Sequence, residues 1–108
     1  MIYIPESDWK KLRKIKNKML NTSCRNIFHK IDGISKKIDG REYEAYLELW
    51  KLLNKEDKDI SIMFDDLKRS NAVQKLSAWK QKGIISNEQI SQFTTKTQQI
   101  IEYLEFVK

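Results

Sequence analysis

Apolar residues recur at steps of three and four from Trp9 to Ile38, through Leu12, Ile15, Met19, Leu20, Cys24, Ile27, Phe28, Ile31 and Ile34. That spacing is the signature of one helix face. Ile4-Pro5-Glu6-Ser7-Asp8 reads as the start. Proline lacks the N–H that a first helical turn leaves unpaired, and acids there suit the positive end of the helix dipole. Near the far end the tetrapeptide Lys-Ile-Asp-Gly appears twice, at 30–33 and 37–40. Ile31, Ile34 and Ile38 keep the stripe through both copies, so Lys30–Asp39 reads as helix, with Gly33 inside it and Gly40 as the left-handed stop. Two surface turns joined by a short strand are the alternative. A calcium loop is not supported, because lysines occupy the positions where such a loop needs acids. A helix from Pro5 to Asp39 would be about 52 Å long, whereas a compact domain of this size has a radius of gyration of only about 13 Å. It must bend, break near Gly33, or project. The stripe also drifts, with Trp9–Met19 and Leu20–Ile38 centred on different faces, which suggests a bend or two packing partners.

A second helix is expected over Arg41–Asn54, from Tyr43, Tyr46, Leu47, Trp50 and Leu53 with Glu42, Glu44, Glu48 and Lys51 outside the stripe. The polar run Asn54-Lys55-Glu56-Asp57 is either a link or a continuation. A third stretch carries Ile60, Met63, Phe64 and Leu67. Ser70-Asn71 could cap a fourth, with Val73, Leu76 and Trp79, or the third and fourth could be one helix. Gly83 ends that region. Ser86 then caps a last helix, with Gln89 reaching back as a capping box, and Ile90, Phe93, Thr97, Ile100, Ile101 and Leu104 follow it. Trp50, Leu53, Phe64, Leu67 and Trp79 are the expected core. The reading is an all-α bundle of four or five helices with a long N-terminal helix, one domain over residues 1–108.

Composition narrows this further. Three glycines and one proline are few for a β-rich fold, and 40% hydrophobic residues with eleven aromatics are too many for a disordered chain. No stretch approaches the roughly 20 apolar residues of a membrane span, and Pro5, Glu6 and Asp8 interrupt any early signal-like run. A single cysteine, Cys24, fits a reducing compartment, so a cytoplasmic location is expected. The net charge of +6 is uneven: residues 1–40 hold ten Lys or Arg against four acids, and residues 41–108 hold eleven of each.

Two segments, "YIPESDWKKLRKIK" and "FDDLKRSNAV", resemble a family of short bacterial helical proteins of uncharacterised function; the resemblance implies no activity. "WKQKGIISNEQIS" looks like the helix stop and capped helix of bacterial two-helix oligomerisation modules.

Candidate chemistry is sparse. Cys24 and His29 are five residues apart and point away from each other on a helix, so a nucleophilic dyad is not expected; Cys24 belongs with the core and His29 with solvent. With one Cys and one His, no zinc site is expected, and no cofactor loop is present. Asp65 and Arg69 are spaced to pair, as are Asp66 and Ser70, either as a small polar site or as an ordinary solvated face. Lys10, Lys11, Lys14, Lys18 and Arg25 form a basic arc opposite the first stripe, a candidate anion-binding face. Aromatic interleaving there is poor, which counts against nucleic acid. Leu20, Ile27, Phe28, Ile31 and Ile34 are the candidate interface of a homodimer formed through the long helix. The expected function is therefore a small non-enzymatic interaction module that self-associates, with an acidic protein as a further partner. The alternative is a basic nucleic-acid-associated regulator.

Overall fold

Pro5, at φ −56°, opens the first helix, and its carbonyl accepts the first-turn N–H groups of Asp8 and Trp9. In the computed structural model, which describes residues 3–107, that helix is α1, Glu6–Ser35. Four more follow: α2 Glu42–Phe64, α3 Ala72–Lys82 after a 3-10 turn at Arg69–Asn71, the short α4 Asn87–Ile90, and α5 Thr95–Phe106. There is no strand among the described residues, and the all-α bundle with a long first helix is the fold.

The helix boundaries differ from expectation at three places. α1 stops at Ser35, not at Gly40. Lys36 and Lys37 tighten back onto the carbonyls of Asp32 and Ile34, and the chain turns there so that α2 can fold back along α1. Gly33 is helical. Gly40 is left-handed at φ 78°, but as the turn residue before α2, where its N–H donates to Glu42 Oε1 at 3.1 Å. The two Lys-Ile-Asp-Gly copies thus do different jobs. Second, α2 runs straight through Asn54-Lys55-Glu56-Asp57 to Phe64, which merges the expected second helix with most of the third. Leu67 falls in the following link. α2 and α3 are separate because Asp66 is left-handed at φ 56° and Lys68 is extended. Asn71 holds this corner: its side-chain oxygen accepts from Lys68 N at 3.0 Å and its amide donates to the Asp66 carbonyl at 2.8 Å.

The third difference is in the last segment. Gly83 ends α3 at φ 78°, and the Ser86–Gln89 capping box forms with bonds of 2.9 and 3.0 Å, as expected. The helix it starts is only one turn long, however. A new one begins at Thr94, because Asp8 takes Thr94 out of the helix: its carboxylate accepts from Thr94 N at 3.1 Å, Thr94 Oγ1 at 2.6 Å and Thr97 Oγ1 at 2.5 Å. Asp8 is fully buried. It serves as the N-terminal acceptor of α5 from another helix, a role usually filled locally.

The core sits at one end of the molecule. Leu12 and Met19 of α1 pack with Met63, Phe64, Val73, Leu76, Trp79, Ile85, Phe93 and Ile101. Trp79 is its centre: the ring stacks on Phe64 at 5.3 Å, and the indole N–H donates to the Met63 carbonyl at 3.0 Å. That bond and Lys75 Nζ to the Ile62 carbonyl, 2.6 Å, satisfy acceptors that the end of α2 leaves free. Beyond this core, the C-terminal part of α1 and the first half of α2 continue as a two-helix arm. The molecule measures 54 × 24 × 23 Å, with a radius of gyration of 16.6 Å, well above the roughly 13 Å of a compact chain this size. The long helix projects instead of bending, and its drifting stripe meets two partners: the core first, then α2.

Candidate functional site

The base of the arm is held by charge. Glu56 on α2 has a side chain only 2% exposed. Lys30 of α1 donates to its Oε1 at 2.7 Å, and Lys82 of α3 approaches Oε2 at 3.0 Å and Asp59 at 2.7 Å. Three helices meet in this cluster. Burial alone would raise the Glu56 carboxyl, but the hydrogen bonds from Lys30 and Lys82 outweigh it and hold it below the ordinary range. The hydrogen bond from Lys82 likewise lowers Asp59. Burial works against the charged form of Lys82, yet its two carboxylates keep its pKa raised. At the arm's tip Arg41 bonds Glu48 and the Lys37 carbonyl.

Past Glu56 the arm has two sides. Along α2, Ala45 is buried and Leu49 and Leu52 are half-buried, facing α1. Around the helix from them, Tyr43, Tyr46 and Trp50 are 72%, 53% and 53% exposed, and Leu47 and Leu53 about 40%. The rings form a ladder, Tyr43 to Tyr46 at 6.3 Å and Tyr46 to Trp50 at 6.5 Å, edge-on. Trp50 and Leu53 were expected in the core and are not there. Their periodicity is real, but nothing among the described residues covers them. α2 is apolar on two faces, and only one is used internally.

The five candidate interface residues separate in the same way. Leu20 packs against the core, Ile27 is buried between the arm helices, and Ile31 and Ile34 are half-buried. Only Phe28, 68% exposed, offers an open apolar surface. It lies two residues from Lys30, on the opposite side of α1. The open stripe is thus mainly on α2, which periodicity alone could not reveal.

Lys10, Lys11, Lys14, Lys18 and Arg25 are all exposed. None of them forms an ion pair among the described residues, in contrast to Lys30, Lys36, Arg41, Lys68, Arg69, Lys80 and Lys82. Arg13 lies over the Trp9 ring at 5.4 Å, so one face of that ring is already taken by a cation. The expected Asp65–Arg69 pair is absent. Arg69 instead donates to the Ile4 carbonyl at 2.9 Å and to Glu6 at 3.1 Å, stitching the chain's start to the α2–α3 corner. Asp65 accepts from Ser61 at 2.5 Å, and Asp66 pairs with Lys68 and not with Ser70. The break after Phe64 removes the helical spacing on which both expected pairs depended. Cys24 is half-buried, less covered than expected, and His29 is exposed. Among the described residues no group of His, Cys, Asp and Glu could hold a metal ion, and no helix is long and apolar enough to cross a membrane. Comparison with family models, curated proteins and solved structures finds no match to this chain.

Proposed function

We propose that this chain is an interaction module that pairs with a second copy of itself through the α1–α2 arm. The observation that carries the reading is the uncovered ladder of Tyr43, Tyr46 and Trp50 on a helix already packed on its other apolar side. These three rings are each more than half exposed. At 150–250 Å² per ring they offer on the order of 300–400 Å². Monomers rarely leave more than a few hundred Å² of contiguous apolar surface open. Leu47, Leu53 and the stems of flanking lysines bring the patch toward the roughly 800 Å² that each partner contributes to a standard interface.

A second copy suits this surface because the α2 sequence is self-complementary about Trp50. In an antiparallel pair with its two-fold axis at that residue, Leu47 meets the other copy's Leu53. Tyr43 meets Asp57, so its hydroxyl has an acceptor. Glu42 comes opposite Lys58, and each contact occurs twice. The lysines of the N-terminal half of α1 point elsewhere and are kept apart. Light scattering at micromolar concentration is the test: the reading requires a mass twice the 12.9 kDa of the chain, and a monomer at all concentrations would contradict it.

A further inference from the structure

At the other end of α1 from the arm, a hollow of about 310 Å³ lies between that helix and the segment that carries α4 into α5. Lys11, Lys14 and Lys18 form one wall, Gln89 and Gln92 the other, and Ile15 and Phe93 the floor. Lys11 closes one end by donating to the Gln92 carbonyl at 2.5 Å. Among the described residues the side chains of Lys14 and Lys18 have no partner, and neither does the Gln92 carboxamide. Gln89 uses its side-chain oxygen in the capping box, which leaves its amide hydrogens available. The hollow therefore combines two unneutralised cations, free amide groups and an apolar base.

We infer that this hollow is a docking site for an extended acidic peptide segment, with carboxylates at alternate positions and an apolar residue between them. Lys14 and Lys18 are one helical turn apart, about 6 Å. That spacing matches the 6–7 Å between same-side residues of an extended strand. Carboxylates at positions one and three reach the two lysines, and the residue between them, which points the opposite way, lies against the methylenes of Gln89 and Gln92 on the facing wall. An extended backbone also has free N–H and C=O groups, which the carboxamides of Gln89 and Gln92 can meet. A nucleic acid strand fits less well. The hollow has no arginine and no open aromatic ring, since Phe93 is only 4% exposed and forms the floor. The site is separate from the arm, so the inference does not rest on the dimer.

The test is a fluorescence-anisotropy titration with a labelled Gly-Gly-Asp-Leu-Asp-Gly-Gly peptide, its Asn-Leu-Asn counterpart, and an oligothymidylate of similar length. The acidic peptide should bind saturably, its Asn counterpart at least tenfold more weakly. Lys14→Glu/Lys18→Glu should lose at least tenfold in affinity, and Gln92→Ala severalfold. Lys36→Glu/Lys37→Glu, with the same charge change at the arm tip, should bind like wild type, and circular dichroism should show all variants folded. Absence of saturable binding overturns the inference. So does an equal loss in the arm-tip variant, or oligothymidylate binding as tight as the peptide's and lost in the same lysine variant.

Discussion

Trp50 and Trp79 are the same residue type at the same kind of helical spacing, and they have opposite roles. Trp79 is fully buried, stacked on Phe64 and hydrogen-bonded to Met63. Trp79→Ala should cost about 3–5 kcal/mol in chemical denaturation. Trp50→Ala, measured on dilute protein, should cost under about 1 kcal/mol. If the arm pairs, that difference should grow with protein concentration, because association stabilises the folded chain by mass action. Helical periodicity reports that a position is apolar, not whether the same chain covers it, so the sequence could not separate these two. Glu56 was hidden for the converse reason. A charged residue in a polar run reads as exposed, and its partner Lys30 is 26 residues away. Its carboxyl pKa is lowered in the folded state, so the stability it contributes is present above its unfolded pKa and is lost as pH falls through the folded value. Wild-type protein should therefore lose melting temperature as the pH drops below about 4. Glu56→Gln should be roughly 1–3 kcal/mol less stable at neutral pH, the loss moderated by the exposure of Lys30, and should show a shallower acid dependence.

Among the elements, those set by local chemistry were legible. Pro5 with early acids, Gly83 at positive φ and the Ser86–Gln89 box all lie where the sequence places them. Those set by distant partners were not. The break between α4 and α5 is held by Asp8, 86 residues away, which binds Thr94; the threonine is a preferred N-cap residue, but the unbroken apolar spacing through Phe93 and Thr97 masked it. The glycines are a direct check on the first turn-back. An added Cβ meets nothing within 4 Å at either Gly33 or Gly40, but only Gly40 is left-handed. Gly40→Ala should destabilise by about 1 kcal/mol, and Gly33→Ala should be neutral or stabilising by several tenths of that. Thermal melts of the two variants measure this. The reverse order would mean that α1 ends at Gly33 and that the arm is shorter than described.

At the scale of the whole molecule, the chain is long because its core is local. The core draws on Ile4, the first half of α1, the end of α2 and the buried residues of α3, α4, α5 and their links, while residues 28–55 extend beyond it as two helices with one shared seam. Composition indicated that a core exists, but not that part of the apolar content lies outside it. A two-helix layer leaves an apolar side open unless something covers it, and the α2 stripe is the uncovered part. The most direct measurement is sedimentation equilibrium on wild type and Trp50→Glu side by side. Trp50 is already exposed, so the variant should keep its fold, and circular dichroism checks this independently. Wild type should sediment as a dimer in reversible, concentration-dependent equilibrium, and Trp50→Glu as a monomer at the same concentrations. A wild-type monomer throughout, or a dimer that Trp50→Glu leaves intact, would contradict pairing through the arm.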